Sequence, residues 1–261
     1  MALPILNNAS LHELTVPSTG KTHNYRPYLV KEEKILLQAK ESNDDKLMMK
    51  SLSKLIESCV EDINVNELTT FDVEYIFLIL RGKSSGEIVK VGYECSHCEA
   101  ENDVEINLAN IKMANKGSAD TATIQLTPDI TLDLGYVKYN KMINEMSHKK
   151  NKDETAEVFK LVKNSIISVN TETERSIFAD ESMKDQDAFL DSLSSTQFQE
   201  ITEFITNGPA VVYEDDITCT SCKEVFTFRE GPYTAVTLFG LVSDPLAICL
   251  VYPLALVFIF G

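Results

Sequence analysis

The chain has 261 residues, 44% of them hydrophobic, enough to bury a sizeable core in one large domain or two smaller ones. Its 24 Lys and Arg stand against 40 Asp and Glu, a formal charge of −16. This argues against wrapping nucleic acid, which needs a basic surface, and favours a well-solvated acidic exterior or a basic partner. Tryptophan is absent, so any aromatic interface anchors must come from Phe and Tyr.

Met1-Ala2-Leu3-Pro4-Ile5-Leu6 has neither a basic n-region nor a long apolar h-region, so no signal peptide and a reducing compartment are expected. Leu11 to Tyr28 reads as a β-hairpin: Leu14 and Val16 alternate with polar residues, and Pro17-Ser18-Thr19-Gly20 supplies the turn. Gly20-Lys21-Thr22 is not a phosphate loop, because the position five residues before Gly20 holds Thr15 rather than glycine. Helices are predicted over Lys31 to about Lys40, where Ile35, Leu36 and Ala39 form a stripe, and over Asp45 to Val60. A third starts near Thr69 or Thr70, where Thr69 and Asp72 have capping-box spacing, and is expected to stop at Gly82. The charges from Lys31 to Lys34, with Arg26, read as a solvent face or as the polar rim of a partner site.

Next comes Cys95-Ser96-His97-Cys98, flanked by the alternations Val89, Val91, Tyr93 and Val104, Ile106, Leu108, a strand-turn-strand pattern. Met113 to Asp120 reads as a loop. Thr121 to Gln125 and Ile130 to Leu134 read as a short hairpin bent at Pro128. Helices are expected to dominate from there: one capped by Asp153 and carrying Val158, Leu161, Val162 and Ile166, and another marked by Phe198, Ile201 and Ile205 that ends at Gly208-Pro209. Lys149 to Asp153 and Thr171 to Arg175 read as surface links. Cys219-Thr220-Ser221-Cys222 then follows Val211-Val212-Tyr213, with Phe226 and Phe228 alternating after it. From Thr234 to Gly261 only Asp244 is charged. This apolar tail approaches the length of a membrane span but is interrupted by Pro253, and reads as a core segment or an anchor.

Four thiolates in two tight turns can surround one tetrahedral zinc ion, so Cys95, Cys98, Cys219 and Cys222 are the candidate ligands of a structural zinc. Some 120 residues separate the pairs, where a compact ribbon has roughly 15–20, so a shared site requires a large insertion. Unpaired buried cysteines or a redox pair are the alternatives, although neither pair lies near a βαβ pattern. His97 is a spare ligand that four thiolates make unnecessary. Cys59 and Cys249 read as small buried hydrophobes. His12, His23, His97 and His148 are scattered, which leaves no credible Ser/His/Asp or Cys/His constellation and no predicted enzyme activity. Glu214-Asp215-Asp216 reads as a solvated loop edge.

Three stretches carry a family resemblance: Leu14 to Lys21 (LTVPSTGK), Tyr25 to Leu37 (YRPYLVKEEKILL), and Phe71 to Leu78 (FDVEYIFL) continuing to Arg81. Together they resemble the baseplate proteins of T-even-type contractile-tailed bacteriophages, a family that includes the baseplate hub subunit and the baseplate hub assembly catalyst. The likeness is specific over residues 3–98, weakens through the insertion and recovers around Phe198 to Cys222. It implies a late phage protein, made in the host cytoplasm, that forms or helps to assemble the tail baseplate hub in contact with other hub proteins, without catalytic turnover. It also implies a short polar or mixed ending, so residues after about Phe228 are expected to reflect a frameshift, a recombination or a gene-prediction artefact. A membrane-attached phage factor anchored by the tail is the alternative.

The predicted organisation is α+β: an N-terminal hairpin and helical cluster over residues 1–85, a zinc-ribbon-like module over 86–230 with a mostly helical insertion at about 110–208, and the apolar tail 231–261.

Overall fold

The computed structural model describes residues 10–42, 44–95, 97–115, 121–145 and 154–230. They divide into two compact units: one formed by those within Met1–Ala114 and Ala210–Ser243, the other by those within Asn115–Pro209. Mixed helices and small antiparallel sheets make the chain α+β. The apolar tail, Asp153, His148 and Cys249 lie outside the described residues.

The first unit opens with the hairpin β1 (His12–Thr15) and β2 (Thr22–Tyr25), registered from His12 opposite Tyr25 to Thr15 opposite Thr22. Its turn is closed by Val16 N–H donating to Lys21 O (2.9 Å) and Gly20 N–H donating to Val16 O (2.9 Å). Gly20 sits at φ +65°, a left-handed conformation that glycine adopts without steric cost. Three helices follow: α1 (Val30–Glu41), α2 (Asp45–Cys59) and α3 (Thr70–Ser85). The side chain of Asp44 caps α2 by accepting from Leu47 N–H at 3.0 Å. Leu36 and Ala39 on α1, and Met48, Leu52, Leu55 and Ile56 on α2, are buried.

α3 is buried on nearly every side, through Phe71, Val73, Ile76, Phe77, Leu78 and Leu80, as expected of a central core helix. It runs beyond the expected stop at Gly82 to Ser85 and ends at Gly86, whose φ is +98°. Gly82 lies inside the helix rather than at its end, and a Cβ there would meet Glu87 and Leu108 only at ordinary contact distance.

The charges at the start of α1 do not all face solvent. Glu32 is buried; its Oε1 accepts from Arg26 Nη2 at 2.8 Å and its Oε2 from Leu29 N–H at 2.8 Å. Arg26 also donates to Ser58 O, which ties the entry of α1 to the end of α2. Arg26 is thus a clasp within the unit. Its guanidinium is held above its ordinary pKa, chiefly by the bond to Glu32.

The rest of the unit is strand. β3 (Ile88–Glu94) and β4 (Glu101–Asn107) pair from Ile88 opposite Asn107 to Glu94 opposite Glu101. β10 (Ala210–Thr218) is central in a sheet flanked by β11 (Val225–Glu230) and β5 (Lys112–Ala114). β5 lies at the start of the expected loop. It pairs with β10 with Ala114 opposite Ala210 and Lys112 opposite Val212.

In the second unit β6 (Thr121–Thr127), β7 (Ile130–Gly135), β8 (Ile166–Thr171) and β9 (Arg175–Ile177) form one antiparallel sheet in sequence order. It is accompanied by α4 (Tyr139–Glu145), α5 (Glu154–Ser165), α6 (Met183–Asp191) and α7 (Ser195–Thr206). Leu132, Leu134, Val162, Ile166, Phe178, Leu190 and Ile201 form its buried core. Ile166 was expected on the helix of Val158 and Val162, but α5 stops at Ser165 and the β-branched run Ile166-Ile167 opens β8. The predicted link Thr171 to Arg175 is the β8–β9 turn, closed by Thr171 N–H donating to Glu174 O at 2.8 Å.

Candidate metal centre

The two Cys-x-x-Cys segments are the loops of the β3–β4 and β10–β11 hairpins, and the backbone treats them alike. In the first, Cys95 N–H donates to Ala100 O (2.9 Å) and Glu99 N–H to Cys95 O (2.8 Å); in the second, Cys219 N–H donates to Glu224 O (2.9 Å) and Lys223 N–H to Cys219 O (3.1 Å). The residue after each second cysteine is left-handed, with φ 57° at Glu99 and 65° at Lys223. Both loops therefore repeat the hydrogen-bond plan of the Val16–Lys21 turn, in which a left-handed residue closes the hairpin.

The two loops bring their sulfurs together. Cys98 Sγ lies 3.7 Å from Cys219 Sγ, and Cys95 Sγ 3.9 Å from Cys222 Sγ. All four sulfurs lie within 4.8 Å of one another. Sulfurs at about 2.3 Å from a tetrahedral zinc would be about 3.8 Å apart, so the donor set fits a closed four-thiolate structural site. All four cysteines are free; Cys95 and Cys219 are buried, Cys222 is partly covered and Cys98 is exposed.

Electrostatics also favour a cation. The backbone N–H of Cys222 leads the contributions that draw the Cys219 thiol down to about 6, with burial opposing and further help from Ser221 N–H and Asn102. Cys222 moves the other way, up to about 12: Glu224 N–H would lower it, but burial and the sulfurs of Cys98, Cys219 and Cys95 outweigh that. Four clustered thiols cannot all ionise side by side, and a divalent cation would remove this mutual repulsion.

Asn102, absent from the sequence-derived site, joins the two loops. Its Nδ2 donates to Ala100 O (2.9 Å) and reaches Cys219 Sγ (3.6 Å), while its Oδ1 accepts from Thr220 N–H (2.8 Å) and Thr220 Oγ1 (2.9 Å). One amide thereby orients a candidate ligand and binds the first knuckle to the second, as an outer-shell group does in metal sites. The signal was available in the sequence: Asn102 occupies the inward parity of β4, shared with the buried Ile106, where an apolar residue is the ordinary choice.

Other singled-out groups lie apart from this cluster. His97 is exposed and is not in the four-residue group, His12 packs against Tyr25 with ring centroids 5.4 Å apart, and His23 Nδ1 contacts Glu61 O at 2.9 Å. Glu214, Asp215 and Asp216 are exposed on β10, within a strand rather than at a loop edge, and Asp215 accepts from the Tyr213 hydroxyl at 2.9 Å. Cys59 is buried beside Ser58.

Residues 9–230, a span that contains both knuckles, match the family model described as T4 bacteriophage base plate protein. No curated protein and no solved structure matches the chain.

Proposed function

The chain belongs to the T4 bacteriophage base plate protein family, and we propose that its place is the central hub of the tail baseplate, as a hub subunit or as a factor that assembles the hub. Family membership implies contact with other phage baseplate proteins; in this reading those are the hub proteins, met in the host cytoplasm during tail assembly. The protein works by presenting surfaces rather than by turning over a substrate.

The family match over residues 9–230 carries the baseplate reading, and the architectural role is supported by the convergence of four sulfurs from loops about 120 residues apart in the sequence. Such a site acts on architecture: zinc bound there would tie β3–β4 to β10–β11 and so hold the segments that leave and re-enter the first unit. Cys95, Cys98, Cys219 and Cys222 would hold the ion, Asn102 would orient Cys219, and metal affinity would add to folding free energy. With all four positions filled by protein, no coordination site remains for a substrate.

The membrane-attached alternative has less support. Among the described residues no helix is long and apolar enough to cross a membrane, and the tail on which that reading depends lies outside them.

Disruption of the gene in the phage, complemented in trans, tests the hub assignment. Loss should yield tails arrested at the hub stage by electron microscopy, and a tagged copy should capture hub proteins from infected cells. Normal baseplates with complete hubs in the absence of the protein would overturn it.

A further inference from the structure

Among the described residues, five of the exposed large apolar side chains, Leu29, Val30, Ile35, Leu37 and Leu47, fall within residues 29–47, on and beside α1. The buried face of α1 consists of Glu32, Leu36 and Ala39. Opposite it lie Val30, Glu33, Lys34 and Leu37, at positions i, i+3, i+4 and i+7, which fall on one face of a helix within an arc of about 100°. Val30 is 78% and Leu37 52% exposed, and Glu33 and Lys34 are exposed between them.

From Val30 to Leu37 the order along this stripe is apolar, acidic, basic, apolar; Glu41, the next residue on the same face, lies past the end of the antiparallel overlap. Laid antiparallel on its own copy about a two-fold axis between Glu33 and Lys34, it matches at every position: Val30 meets Leu37 of the second copy, Leu37 meets Val30, Glu33 meets Lys34 and Lys34 meets Glu33. A two-fold interface requires this reciprocity. A partner of uniform charge would meet one like charge on the stripe, whereas an antiparallel second copy meets none. We propose that the outer face of α1 is a self-association surface whose occupant is α1 of a second copy of this chain. The proposal does not depend on the metal or on the hub assignment.

One helix pair buries less than a standard protein interface, so the dimer is weak and concentration-dependent, suited to subunits brought together within a larger assembly. Its symmetry provides the test. Glu33→Lys places two like-charge contacts across the axis, and so does Lys34→Glu. Each should raise Kd by about tenfold or more. Mixing the two variants restores opposite charges at both contacts, because one chain then carries two bases and the other two acids. Sedimentation equilibrium of the full chain up to about 100 μM covers the range in which so small an interface is populated. The expected result is a wild-type monomer–dimer equilibrium, two predominantly monomeric single variants with unchanged circular dichroism and melting, and a heterodimer when the variants are mixed. A wild type that stays monomeric, single variants that keep the wild-type mass, or a mixture that fails to associate would each overturn the proposal.

Discussion

Asp72 sits at the start of α3 with none of its surface exposed, and its carboxylate gathers four donors. Oδ1 accepts from Ser18 N–H (2.9 Å), while Oδ2 accepts from Ser18 Oγ (2.6 Å), Thr69 N–H (2.9 Å) and Thr69 Oγ1 (2.6 Å). One side chain therefore completes the capping box of α3 and pins the turn of the β1–β2 hairpin, 54 residues earlier. Asp72→Ala strands two backbone N–H groups and removes a charged acceptor. At about 1–3 kcal/mol per unmet buried group, with partial relaxation, the loss should be about 3–5 kcal/mol. Asp72→Asn is the sharper test. Its amide keeps one acceptor for Ser18 N–H, and the two hydroxyls can rotate to accept, but its NH2 then faces Thr69 N–H, which cannot. That should still cost about 2–4 kcal/mol, against about 1 kcal/mol for Ser18→Ala, which removes a single hydroxyl bond. Urea denaturation of the full chain, with the slope m unchanged across the series, measures these values directly. An Asp72→Asn variant within about 1 kcal/mol of wild type would refute the claim that this junction needs two acceptor oxygens.

Three further outcomes are expected. The purified protein should carry about one zinc per chain, and chelation or Cys219→Ser should lower stability by several kcal/mol, short of the ~10–16 kcal/mol seen when zinc is the whole fold, because the α1–α3 core persists; zinc-free protein with unchanged melting in Cys95→Ser and Cys219→Ser would contradict the structural site. Glu74, only 6% exposed and with Oε2 unpartnered, is held well above its ordinary value of 4.5 by burial. The folded state then holds a proton that the unfolded chain has lost, so stability falls as pH rises from about 4.5 toward the folded value, and the advantage of Glu74→Gln over wild type should grow across that window; a difference that does not change with pH would sink this. Gly208→Ala would put a Cβ 2.5 Å from Tyr136 Cε1, in a ring stacked on Phe204 at 4.8 Å, and should cost about 1–3 kcal/mol in thermal or urea denaturation, a value near zero meaning that the ring yields freely.

Features specified by near neighbours were legible in the sequence. The Pro17–Gly20 turn, the starts of α2 and α3 and the Thr69–Asp72 capping box depend on residues within one or two turns of one another, and they lie where the pattern places them. What depended on distant partners was hidden. β5 is three residues long, too short to show alternation, and is a strand only because Val211 and its neighbours pair with it nearly a hundred residues later. Ile166 satisfies a helical and an extended pattern equally, and packing against Leu132 and Leu134 selects the strand. Glu32 has the sequence context of any solvated charge, and it is the pairing with Arg26 at 2.8 Å that accompanies its burial. Around the cysteines, spacing identified the sulfurs, but it could not show that Asn102 bridges the knuckles or that Glu99 and Lys223 take the left-handed turn position that more often falls to glycine.

The register that sets Ala114 directly across from Ala210 makes the whole of residues 115–209 the loop of a hairpin. Because loop closure costs only about 0.6 kcal/mol for each doubling of length, the strand pair tolerates a passenger of almost any size. The inserted unit has its own core, so its folding does not draw on the strand pair that grips its two ends. The cysteine knuckles bracket that strand pair in the sequence, so a metal held between them would fasten the neck of the loop without touching its contents.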